Sequence, residues 1–465
     1  MLLNAKSIDA TKGSIISKIL LYALPLILST LIQKLFNAVD IVVLGNMADS
    51  VAVASVGATG SIVSLIVDTF VGLSSGTKII FARQFGAKDG DRIKRTEDTS
   101  LLLGFFIGVA VAVLGIVFAP WFLSMTNCPK ECFDGAVIYI RFYVCAAPAV
   151  LIYNFGSSVL TASGDTQRPL YYIIASGLLN VLLNIILCLI LPQKVIAVAV
   201  ATAASQVLCA FLVLRRLCKM DGLGKLVIRK MRFSMHSLVK ILQFGLPLAL
   251  NHALYPIANL QIQSAINAYG VASVAGNSAG STLDGIISSF SGPFGTTAAT
   301  FMGQNFGAKN TARAQRSFWH CVWMSVVFGG AAGILATVLA RPILLPLILG
   351  EDGIAIEYGF WRMVFVAGFY WIASVNNVLS SAIQSYGYSI ITALNSIVCV
   401  FGFRIVWMWW IYPPYHLKGI EDGSMSGFKW LMACFTVSWA ILLVCNVVAN
   451  IVIRIIAKKN GIKQI

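Results

Sequence analysis

Residues 83–92 read RQFGAKDGDR, and residues 304–313 read QNFGAKNTAR. The same displacement recurs on either side of this pair. KILLYALPL at 18–26 returns as KILQFGLPL at 240–248, and YIRF at 139–142 has its counterpart in FWRM at 360–363, so the offset stays between 220 and 222 residues. Such self-similarity marks a duplicated chain whose halves share one architecture. Between the copies lies 215–240, with eight Lys and Arg. The expected organisation is an N-terminal lobe at 1–218, a basic linker at 219–237 and a C-terminal lobe at 238–465.

The surroundings of these motifs are apolar. Of the 465 residues, 58% are hydrophobic and 11% charged, less than half of the ~25% charge of an average soluble domain. That polar complement is too small to cover several soluble domains, which excludes soluble enzymes, nucleic-acid-binding modules and disordered chains. A bilayer-spanning helix needs roughly 20 mostly apolar residues. That window gives twelve spans: 15–44, 51–80, 99–123, 135–162, 168–191, 195–218, 238–268, 271–302, 317–346, 354–383, 388–412 and 427–457. The longest imply tilt or kinks, and the first is too long for a cleavable signal. The expected fold is therefore an all-α polytopic membrane protein with twelve transmembrane helices in two homologous six-helix bundles. Six spans per half insert both halves with one orientation.

The formal charge of +16, from 34 Lys and Arg against 18 Asp and Glu, becomes a topology signal in this setting. Segments on the side of the termini carry 24 basic residues and those on the other side six. By the positive-inside rule both termini are cytoplasmic, the membrane is the bacterial inner membrane, and nucleic acid is not the partner. No G-x-x-x-x-G-K-[ST], H-E-x-x-H or C-x-x-C motif occurs, so neither nucleotide-driven pumping nor zinc chemistry is implied. The chain reads as a transporter acting as a monomer, not an enzyme, with no cofactor. Among the ten cysteines, Cys128 and Cys132 flank a polar loop and read as two separate thiols.

Charges deep in spans are costly and point to function. The aspartates in such positions are Asp40, Asp68 and Asp284. Gln33, Asn37 and Asp40 share one face of the first span, Asn180 and Asn184 one face of the fifth, and Thr202 and Gln206 one face of the sixth. Counted at 1.5 Å per residue, Asp40, Asn184 and Thr202 lie at a common depth of roughly 7–11 Å, with Tyr139 slightly higher. One carboxylate, two amides and a hydroxyl at one level could hold Na⁺, or a proton within a hydrogen-bonded network. The candidate Na⁺ ligands are Asp40, Asn180 and Thr202. Pro25 precedes Asp40 in the same helix and offers a hinge. The stripes holding Asp68 and Asp284 are expected to line a substrate cavity with Asn37, Asn251 and Tyr255. Lys34 is a candidate ion-pair partner for Asp68. His252 reads as a packing residue, and Arg404 as an interhelical hydrogen-bonding group.

LFNAVDIVVLG at 35–45, GLSSGTKIIFARQFGAKD at 72–89, YIRFYVCAAP at 139–148 and SGDTQRP at 163–169 together resemble the multidrug and toxic compound extrusion (MATE) family of the MOP flippase superfamily. The resemblance implies a V-shaped pair of bundles and alternating-access antiport. Organic, often cationic, amphipathic compounds would leave against entering H⁺ or Na⁺. It also implies cation-coupling roles for Asp40, Asn180, Thr202 and Tyr139. Asn184 departs from the pattern, since that position is often aspartate. Some relatives use a glutamate in the seventh helix and an aspartate in the tenth; here Tyr255 stands near the first position and the tenth span has no aspartate. Lipid-linked oligosaccharide flippases share the superfamily fold and are the alternative reading. A membrane receptor or structural protein, a reading from another class, would be expected to carry a soluble domain or long loop, and none exceeds about 25 residues here.

Overall fold

The computed structural model describes residues 7–47, 50–126, 128–220, 222, 224–416, 418 and 425–460; within these, the side chains of Ile41, Ser50, Tyr255, Leu260 and Asn460 lie outside the description. The helices are α1 (Ile15–Met47), α2 (Ser50–Ala87), α3 (Gly90–Met125), α4 (Lys130–Cys145), α5 (Ala147–Ala162), α6 (Gln167–Ile190), α7 (Lys194–Cys218), α8 (Met235–Asn267) and α9 (Val271–Gly307). They continue with α10 (Thr311–Leu349), α11 (Gly353–Ser385), α12 (Ser389–Ile411) and α13 (Ser426–Asn460). No strand occurs among the described residues.

Helices α4 and α5 meet at a 45° bend. Pro148 sits in the first turn of α5, where its missing N–H leaves nothing unsatisfied. With that pair counted as one broken span, each of the twelve expected segments is helical. Nine helices are long and apolar enough to cross a membrane among the described residues, ten with the bent pair. The other two are α8 and α9, whose sequences are studded with polar residues such as Asn259, Gln263, Asn277 and Ser281.

Two compact units divide the chain. One comprises Met1–Lys12, Leu24–Ala249 and Gly303–Lys309; the other comprises Gly13–Ala23, Leu250–Met302 and Asn310–Ile465. Three of the boundaries fall inside helices: in α1 one residue before Pro25, in α8 two residues after Pro247, and in α9 between Met302 and Gly303. In the first unit, α2 and α3 pack on α5, and α6 packs on α7. In the second, α11 packs on α13, and Tyr358, Trp407, Phe428 and Phe435 anchor a core with Ile262 and Ile266. Trp407 and Tyr412 belong to that core, whereas Trp409 and Trp410 are exposed. This aromatic run is split between core and surface because successive helical positions point in different directions.

The twin FGAK motifs explain themselves in the first unit. A Cβ on Gly86 would fall 1.9 Å from the Gln304 carbonyl oxygen, and one on Gly307 2.0 Å from the Arg83 carbonyl oxygen. These glycines are therefore crossing points of α2 and α9 rather than turn residues. The turns belong to the next lysines: Lys88 and Lys309 adopt φ of 56° and 58°, ending each helix with a left-handed residue. Asp89 then accepts from the Arg92 backbone N–H to start α3, and Asn310 from that of Arg313 to start α10, both as N-caps. Gly86→Val is expected to cost about 1–3 kcal/mol or more through overpacking against a backbone that cannot rotate away. Thermal unfolding of the purified variant checks this, and an unchanged midpoint would refute the crossing.

Three helices of the second half contain π turns: α10 at Val326–Gly330 and Ala340–Leu344, α11 at Met363–Ala367, and α12 at Ile397–Gly402 and Trp407–Ile411. The described first-half helices have none.

Candidate cation site

Four helices of the first unit bring polar side chains together. The Asn184 Nδ2 of α6 donates to the Asp40 Oδ1 of α1 at 2.7 Å and lies 3.3 Å from the Asn180 amide. The Asn180 amide lies 3.5 Å from the Thr202 Oγ1 of α7. The Tyr139 side chain of α4 lies close to Thr202, and its ring stacks on Tyr143 at 6.1 Å. The structure thus joins Asp40, Asn180, Asn184, Thr202 and Tyr139. Asn37, one turn before Asp40, is exposed.

The Asn180 amide meets Asp40 through its nitrogen, which donates to the carboxylate at 2.5 and 3.1 Å, as an ionised carboxylate, which only accepts, requires. Asn184 is fully buried, and among the described residues its Oδ1 has no hydrogen-bond partner. A buried orphan acceptor is costly unless a proton donor or cation meets it. Carboxylate, amide and hydroxyl oxygens are the ligands that a hard cation prefers.

Beyond the cluster, toward the C-terminal end of α1, Leu44, Cys188, Ala197, Val198 and Ala199 pack with Tyr139 into an apolar layer. Lys194 fastens the end of α6 by donating to the carbonyls of Cys188 at 2.6 Å and Leu191 at 3.0 Å. A cavity of about 420 Å³, lined by Met47, Ser55, Glu131, Gly135 and Lys194 among others, lies on the far side of this layer and contains none of the five polar residues. The chemistry is in the cluster.

Pro25 has no N–H to give the Leu21 carbonyl. In the turn that follows, Ser29 Oγ donates to the Pro25 carbonyl at 2.7 Å and Thr30 Oγ1 to that of Ile27 at 2.9 Å, a pattern that bends helices.

The remaining candidates are dispersed. Asp68 is half-buried on α2 and forms no ion pair with Lys34 among the described residues. Asp284 of α9 is buried against Arg362 of α11, with Nη2 2.7 Å and Nε 2.9 Å from its Oδ2. Arg362 Nη1 also donates to Asn277 at 2.7 Å, and Asn277 to Gln263 at 3.1 Å. Gly280 makes room for the arginine stem, since a Cβ there would lie 2.8 Å from Arg362 Cδ. Arg404 donates to Asn259 at 2.6 Å and Ser438 at 3.4 Å, with its guanidinium 4.5 Å above the Phe435 ring. Asn251 and His252 are half-buried on α8, and the Tyr255 side chain lies outside the described residues. Cys128 and Cys132 are free thiols.

Sequence reasoning missed Arg362, inside the span 354–383, as the partner of Asp284. The YIRF/FWRM correspondence was the available signal: it makes Arg362 the counterpart of Arg141, well inside a helix. It also missed the contact between the Cys399 and Cys445 thiols at 3.4 Å.

The comparisons with known proteins agree with this architecture. The MatE family profile matches residues 25–186 and 247–410, one match in each half. Among curated relatives, the probable multidrug resistance protein YoeA of Bacillus subtilis is 24% identical over 403 residues, covering 85% of this chain and 86% of that protein. YpnP of the same organism, also a probable multidrug resistance protein, is 25% identical over 384 residues, covering 82% and 85%. Among solved structures, a MOP superfamily transporter from Pyrococcus furiosus superposes with a TM-score of 0.84 at 19% identity, covering 98% of this chain and 99% of that one. An outward-facing multidrug resistance MATE transporter superposes equally well, at 0.84 and 19% identity over 98% of each chain. With both halves matched and the fold shared end to end, the chain belongs to the MATE family of membrane transporters.

Proposed function

We propose that this transporter is an antiporter, exporting amphipathic organic compounds in exchange for H⁺ or Na⁺ moving inward. The observation that carries the coupling is the Asp40–Asn184–Asn180 cluster, with its single carboxylate and the orphan Asn184 oxygen. Proton or Na⁺ binding changes the charge of Asp40 and the bonds that it makes to α6. Asp40 and Pro25 share α1, so a change at the cluster can be transmitted to the bend of that helix. Alternating access then follows when cation and substrate favour opposite conformations. The excess of basic residues on one side supports a topology with both termini in the cytoplasm, the membrane being a bacterial inner membrane. The chain works as a monomer, with the coupling ion as its one requirement.

Reconstituted vesicles test the reading. Efflux of a cationic amphipathic dye is expected to follow an imposed H⁺ or Na⁺ gradient, each applied alone. Dye movement indifferent to both gradients would rule out antiport.

A further inference from the structure

Helix α2 carries one half-exposed to exposed polar stripe: Ser61, Ser64, Asp68, Ser75 and Lys78. Their spacing keeps them on one face. From Gly72 to Ile80 the rest of the helix is closed. Gly72, Leu73, Ser74, Gly76, Thr77, Ile79 and Ile80 are buried, and a Cβ at Gly72 or Gly76 would strike the backbone of α8 at 2.6 and 2.4 Å. Lys78 therefore sits next to a backbone-to-backbone crossing, partly buried. Among the described residues neither Asp68 nor Lys78 makes a hydrogen bond or an ion pair. Ten residues of helix separate the two charges by about 15 Å.

A partly buried ammonium without a counter-ion is costly, and packing alone would favour an apolar side chain there. The orphan charge makes sense when something anionic arrives. Lysine is a mobile point charge that accepts a carboxylate from many directions, as a site for varied compounds requires. The opposite charge at Asp68 suits an ammonium on the same molecule.

We propose that Lys78 is a substrate-contact residue that selects among carried compounds by receiving an anionic group, while Asp68 meets a cationic one. The assignment rests on the efflux reading above and names a specificity-determining residue for it.

A matched pair of fluorescent probes tests it: a cationic rhodamine methyl ester and the corresponding free-acid zwitterion. Binding to the purified full-length protein is measured by fluorescence polarisation, and efflux from vesicles separately. Lys78→Met is expected to weaken the zwitterion by roughly 10- to 100-fold, the weight of a hydrogen bond to a charged group, and to leave the ester within about twofold. Lys78→Arg retains zwitterion binding, and Asp68→Asn weakens both probes. Equal effects of Lys78→Met on the two probes, or none on either, would overturn the assignment. Selective loss of zwitterion binding in a protein whose vesicle efflux ignores both gradients would keep the Lys78 assignment and remove the antiport reading.

Discussion

Arg362→Met is expected to destabilise the protein by about 3–5 kcal/mol, the cost of removing one partner from a buried ion pair. Asp284 would lose two charge-assisted contacts and Asn277 a third. The guanidinium also lies over the Phe435 ring at 5.3 Å, so the loss extends to the packing of α13. Adding Asp284→Leu removes the stranded charge, and the double variant should regain most of the stability. Thermal unfolding in detergent reads both steps. A double variant no better than Arg362→Met alone would mean that the pair does not account for the loss. The same pairing bears on function. A carboxylate held by two guanidinium nitrogens is poorly placed to attract a cationic compound, so Asp68 is the stronger candidate for that role.

Asp40→Asn should leave a folded transporter that no longer responds to the cation gradient. Asparagine preserves the size and one acceptor oxygen, so the bond from Asn184 can persist, but it neither binds a proton near neutrality nor contributes a charge to Na⁺. Coupling between two bound ligands is typically worth about 1–3 kcal/mol, and its loss would lower gradient-driven efflux roughly 5- to 150-fold. Downhill exchange of substrate should persist, because the cavity is untouched. Equal uphill efflux by Asp40→Asn and wild type, under whichever gradient drives the latter, would remove Asp40 from the mechanism.

Much of this architecture was legible in the sequence because it depends on one-dimensional quantities. Apolar run length located the spans, and a fixed offset disclosed the duplication. Depth along a helix axis is also one-dimensional, which is how Asp40, Asn184 and Thr202 could be set at one level from three separate helices. What depth cannot give is azimuth. The bond from Asn184 to Asp40, the pairing of Arg362 with Asp284 and the solitude of Lys78 depend on which faces of different helices meet. Gly86 and Gly307 show the same limit: a glycine in a helix ending near a turn reads as a turn residue, and only the approach of a second backbone reveals it as a crossing.

The π turns of the second half have a consequence for its ancestry. A π turn is how a helix absorbs a residue inserted without a loop to hold it. Tyr139 and Phe360 stand 221 positions apart, whereas the left-handed glycines Gly164 and Gly387, which end corresponding helices, stand 223 apart. The intervening part of the second half contains the π turn at Met363–Ala367, directly after Arg362. The two halves have thus drifted out of step by two residues within one helical segment. Insertion there rotates all that follows relative to all that precedes, so the second half could not keep a copy of the first half's polar cluster merely by keeping its residues. Divergence of the two halves was written into helix phase as well as into side-chain identity.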